Sequence, residues 1–163
     1  MPRSRIHQME RVLAFATRFL DEVREDIARA RMDDSDTPPR IRSVHERPGH
    51  ATPEFRTLTI PIPDGFGGMS PEVLSGAIAR FAASKKPDCL LLAFDAENGD
   101  GPVLIAEARC RYGTRLFWMQ PYTVGGSHGV EWGEPVGGGW NDPGEEEMIL
   151  DGAFSGVKVA ATV

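Results

Sequence analysis

His128, Glu131, Asp142 and Glu145 are side chains able to move a proton or hold a metal, and they share one glycine-rich segment. An imidazole and carboxylates converging from loops would supply a general base, a general acid and ligands for a divalent cation. Their spacing matches no ligand motif, such as two histidines four apart on a helix. His128, Glu131 and Asp142 are therefore carried forward as catalytic candidates, with no metal and no cofactor assigned to them. His45 and His50 lie in a polar, proline-rich stretch and read as solvated loop residues. Asp64-Gly65-Phe66-Gly67-Gly68 precedes a helix start, where backbone N–H groups can cradle an anion. It lacks the Lys-Ser/Thr ending of a phosphate loop.

Arg109, Arg111 and Trp118 suggest association instead. A hairpin with a two-residue turn at Gly113-Thr114 would pair Tyr112 with Arg115, Cys110 with Phe117 and Ala108 with Met119. Strict alternation then puts Leu104, Ala106 and Cys110 on the core face. It puts Trp118 among Glu107, Arg109, Arg111 and Gln120 on the other. Arginine over tryptophan is a cation–π pair, and both types are enriched at binding hot spots. The alternative is a solvated face where arginine stems cover the ring. Cys89 and Cys110 are too few for a disulfide framework. The same alternation sends them to opposite faces, beyond disulfide reach, and a reduced cytoplasmic setting is expected.

These side chains need elements to hold them. Residues 7–31 read as a helix. Met9, Leu13, Ala16, Leu20, Val23, Ile27 and Ala30 form a heptad seam, widened by Val12 and Phe19. Such a seam packs either on the protein's own sheet or on another chain, which makes Leu20 and Val23 candidate interface residues. Residues 32–54, rich in proline and aspartate, read as a linker. Phe55 to Ile60 alternates like a strand, and Pro61 and Pro63 put its end at a sheet edge. Ser70, Pro71 and Glu72 start a second helix, which Lys85, Lys86 and Pro87 end. Cys89 to Ala96 is apolar on both faces, as in a central strand. Val103–Tyr112, Arg115–Tyr122 and Val130–Trp132 follow as strands. Asp142 is expected to cap a short helix whose first turn holds the Glu145–Glu147 run. Val157 to Val163 is a terminal strand or a frayed tail.

The predicted class is α+β: a long N-terminal helix, one edge strand, a second helix, then an antiparallel meander with a glycine-rich end. Residues 1–163 form a single domain whose sheet-containing core spans 55–163. The net charge of −6 is concentrated at one end: residues 124–163 hold seven acidic side chains and one basic. That end repels phosphates, so nucleic acid is not an expected partner. No apolar run approaches the roughly 20 residues of a membrane span, and no apolar stretch follows Arg3 and Arg5 as in a signal peptide. The expectation is a non-enzymatic protein acting through self-association, such as a homodimer, or through a protein partner. The alternative is a hydrolase-like or ligand-binding enzyme with its site in loops 64–68 and 124–147.

Overall fold

A computed structural model describes residues 5–35, 37–46, 49, 52–60, 71–111, 113–127 and 129–154. Helix α1 (Arg5–Met32) leads into strands β1 (Arg40–His45) and β2 (Glu54–Thr59). Helix α2 (Pro71–Lys85) follows, then β3 (Cys89–Asn98), β4 (Gly101–Cys110), β5 (Arg115–Val124) and β6 (Val130–Trp132), and a 3₁₀ turn at Ile149–Phe154. The strands form one antiparallel sheet in the order β2-β1-β3-β4-β5-β6. The fold is α+β, as the sequence predicts. No described helix is long and apolar enough to cross a membrane.

The sheet is covered on both faces. On one, Val12, Ala16, Phe19, Leu20, Val23 and Ile27 of α1 meet Leu91, Ala93, Leu104, Ala106 and Ala108. Their spacing is the stripe a helix must present to bury one side. Arg29 and Arg31 sit in its last turn, where the dipole favours cations. On the other face, Leu74, Ile78 and Ala82 of α2 meet Ile41, Leu90, Leu92, Leu150 and Phe154. β3 has Leu90, Leu91 and Leu92 all fully buried, the run expected of a central strand.

The 32–54 segment is not a linker throughout. Arg40–His45 is a strand hydrogen-bonded on both sides, to β2 and to β3. Ile41 and Ser43 face α2 while Val44 faces α1, an alternation masked in the sequence by arginines and flanking prolines. The arginines are not simple solvated polar residues. Arg40 pairs with Asp26 of α1, and Arg42 pairs with Glu22 and lies 5.1 Å over the Phe19 ring. Their apolar stems cover the helix while their charges pair with its carboxylates.

The β4–β5 register also differs from expectation. Arg111 and Gly113 lie in the turn, and Tyr112, expected opposite Arg115, lies outside the described residues. Cys110 N–H donates to Thr114 O at 2.9 Å, and Gly113 N–H donates to Cys110 O at 3.2 Å. Gly113 sits at φ 103°, open to glycine and strained for other residues. This longer turn pairs Ala108 with Leu116 and Ala106 with Trp118. The displacement is odd, so every β5 side chain changes face. Leu116, Trp118 and Tyr122 lie under α1 with Leu104, Ala106 and Cys110, not opposite them.

Candidate functional site

Two polar clusters tie separate elements of the fold together. The first joins β4 and β5 to the C-terminal 3₁₀ turn. Glu107, 3% exposed, accepts N–H bonds from Ile149 at 3.1 Å and Leu150 at 2.9 Å. A carboxylate from the sheet thus caps the start of this turn. Asp142 does not act as the expected helix cap: its Oδ1 accepts from Gly144 N–H within a tight turn, and Glu145–Glu147 lie outside any helix. Asp151 accepts from Arg109 Nε at 3.0 Å, Arg115 Nε at 2.9 Å and Arg115 Nη2 at 2.7 Å, and from Met148 N–H at 2.8 Å. Arg109 also lies 5.1 Å over the Phe154 ring.

Burial raises the Glu107 pKa above its ordinary value, against the two backbone donors that lower it. Burial pushes Asp151 the same way, but Arg115, Met148 N–H and Arg109 together hold it below its ordinary 3.8. The signs of linkage are therefore opposite. Asp151's contribution is complete above pH 3.8 and is lost as pH falls through its depressed folded value. Glu107's is present below its ordinary 4.5 and is lost as pH rises through its raised folded value. The stability gap between the native protein and Asp151→Asn should accordingly shrink as pH drops below 3.8. Denaturant midpoints across an acid series check this. A gap that widens in acid contradicts it.

The second cluster lies at the C-terminal end of α1. Asp95 accepts from Tyr122 Oη, from Arg31 Nη2 at 2.8 Å and from Thr37 Oγ1 at 2.9 Å. Burial and the Asp95 bond raise the Tyr122 pKa, so the phenol stays protonated. Beside it is a cavity of about 50 Å³ lined by Val23, Asp26, Ile27, Thr37, Arg40 and Asp95. It has room for water rather than for a substrate. Both clusters have their donors and acceptors matched within the fold, which is the arrangement of structural clasps.

The sequence-predicted site residues scatter. Glu131 is exposed on β6 opposite Thr123, and Asp142 is exposed in its turn. His128, His50 and the 64–68 loop lie outside the described residues. Among the described residues, no group of three or more His, Cys, Asp or Glu side chains is placed to hold a metal. Leu20 and Val23, 1% and 5% exposed, are packed on the chain's own sheet. Arg111 donates to Lys86 O at 3.1 Å and Pro87 O at 3.3 Å, closing the end of α2. Arg109 is buried in the Asp151 clasp. Trp118 is not beside it: it lies on the opposite face, donates to Gln120 Oε1 at 3.2 Å, and stacks near Trp140 and Arg24. The arginine expected over Trp118 comes from α1, 5.8 Å away. Glu107, Arg115 and Asp151 were not singled out as a unit. The available signal was a charge alternating with small apolar residues through Ala106-Glu107-Ala108-Arg109.

What remains open is an edge. β2 ends the sheet, and all six of its residues are exposed. Phe55 and Leu58 are exposed at 40% and 44%, and Phe55 meets Phe15 edge-on at 5.7 Å. Ile60 N–H donates to Pro39 O, so backbone groups of alternate residues back from Ile60 point to β1. Those of Phe55, Thr57 and Thr59 point outward, and no described strand pairs with them. At the opposite end, β6 is short, three residues, which blunts that edge.

The described residues thus form an α+β protein with a six-stranded antiparallel sheet between two helical layers, and no described strand pairs with the outer edge of β2. No protein-family model, curated protein or solved structure matches the chain.

Proposed function

We propose that this protein acts by association, pairing the outer edge of β2 with β2 of a second copy. The observation that carries this reading is the exposure of all six β2 residues, on both faces, at the end of the sheet. An unpaired row of N–H and C=O groups is a template for another strand. The outward residues Phe55, Thr57 and Thr59 are symmetric about Thr57. A two-fold axis through Thr57 sets Phe55 against Thr59 of the copy and matches each outward N–H with an outward C=O. Such an isologous contact closes on itself and consumes the edge. Phe55 and Leu58 add apolar contact on the two faces.

Absolute mass by light scattering across a dilution series tests the reading. A dimer is expected, and Thr57→Pro should convert it to monomer. Proline removes the outward donor, and its N–H site faces away from β1, where an edge strand tolerates it. Leu58→Lys should weaken the dimer by about tenfold or more in Kd. A native protein that stays monomeric at all concentrations defeats self-association. A mixed complex through β2 with a partner's strand would also replace the second copy. Dimerisation that survives Thr57→Pro in a folded chain would place the interface elsewhere.

A further inference from the structure

Cys89 and Cys110 face each other directly across β3 and β4, and both belong to the cluster beneath α1. This reverses the expectation that they point to opposite faces. The opposite-face assignment put Cys89 away from the Cys110 side, whereas β3 presents Cys89, Leu91 and Ala93 to α1. The backbone of Cys110 is engaged in the hairpin turn: its N–H reaches Thr114 O and its C=O accepts from Gly113. Neither group points to β3, so Cys89 and Cys110 are a non-hydrogen-bonded pair. That is the closer antiparallel arrangement, with Cα atoms typically about 4.5 Å apart and side chains nearer together. A disulfide accepts Cα separations of roughly 4.4–6.8 Å. Both thiols are free, and each is 4% exposed. Thr114 N–H donates to Cys110 Sγ at 3.3 Å, holding that sulfur inside the turn.

We propose that Cys89 and Cys110 are an oxidative modification site: a pair that closes to an intramolecular disulfide joining the first residue of β3 to the last residue of β4. These are the strand ends farthest from the Asn98–Gly101 turn, so the bond staples the open end of the hairpin. The oxidant is a low-molecular-weight disulfide, for which oxidised glutathione serves. One protein thiolate attacks it, forming a mixed disulfide and releasing one glutathione thiolate. The second protein thiolate then attacks the protein sulfur of the mixed disulfide and releases the other. Two protein thiols are oxidised, one glutathione disulfide is reduced, and the two protons pass to the departing glutathiones. Burial and the neighbouring Cys110 hold the Cys89 thiol protonated in the closed fold, so exchange proceeds as the hairpin end opens or during folding.

The test refolds the full chain from denaturant in glutathione buffers of graded poise, quenches by alkylation, and maps the cysteine peptides by mass spectrometry. The expected product links the Cys89 and Cys110 peptides within one chain, two hydrogens lighter than the reduced form. It should melt roughly 5–10 °C higher than the reduced protein. Cys89→Ser and Cys110→Ser, each folded by circular dichroism, should carry only mixed disulfide and lose the shift. Both cysteines recovered as free thiols or glutathione adducts throughout the series would overturn the proposal. So would a bond between two chains, or an intramolecular bond that lowers the melting temperature.

Discussion

Asp151→Ala should lower the unfolding free energy by about 2–4 kcal/mol, a fall in Tm of roughly 5–15 °C. The loss is larger than a surface salt bridge would give, because Asp151 serves two arginines and a backbone N–H at once. Arg109 is only 10% exposed along its side chain and cannot recover water when its partner goes. It would remain as an uncompensated charge beneath Phe154. Some exposure of Asp151 and Arg115, about a fifth each, keeps the effect below that of a fully buried pair. Chemical denaturation of both proteins at neutral pH measures it. Arg115→Ala should cost less, because it leaves Asp151 with Arg109 and Met148 N–H. If Asp151→Ala were neutral, the turn at Ile149–Phe154 would be held by the Glu107 cap and apolar contact, without the Asp151 clasp.

Leu20→Asp should abolish the folded signal, and Leu20→Ala should cost about 2–5 kcal/mol. Leu20 is 1% exposed in the layer between α1 and the sheet, next to Phe19 and Val23. Alanine there leaves a cavity that close-packed neighbours fill only in part, and aspartate adds a carboxylate with no partner. Circular dichroism and denaturant midpoints check stability, and light scattering checks mass. The fold requires that Leu20→Ala leave the mass of the native species unchanged while stability falls. A change of mass at unchanged stability would instead mean that α1 serves a second chain.

Most of the heptad seam was readable from spacing, though Met9 and Leu13 at its start are exposed and Val12 and Phe19 beside it are buried instead; what it packs on was not readable. A stripe of Val12, Ala16, Leu20, Val23 and Ile27 specifies a partner surface without saying whose. The answer came from β3 and β4, whose small residues Ala93, Ala106 and Ala108 let the helix lie close. Similarly, alternation declared that β4 and β5 have two faces, but the turn decided which β5 face joins which β4 face. One turn closed by Gly113 moved Trp118 beneath α1 and left Arg109 on the other side. The clasp at Asp151 was illegible for a related reason: its members come from strands and a turn far apart in the chain. Only the pairing of β4 with β5 brings Arg109 and Arg115 to one carboxylate.

By itself the sequence determined the local elements: both helices, the central apolar strand, and the strand that ends the sheet. Each follows from short-range rules of period, cap and proline. Tertiary structure decided that Arg40–His45 is a strand, because its arginines needed α1 to lie on before the alternation made sense. It decided the β5 face, because register depends on a turn conformation that differs by a residue. It also decided that Cys89 meets Cys110 and that β2 ends the described sheet, because both are facts of strand neighbours, and neighbours are settled only when the whole sheet is assembled.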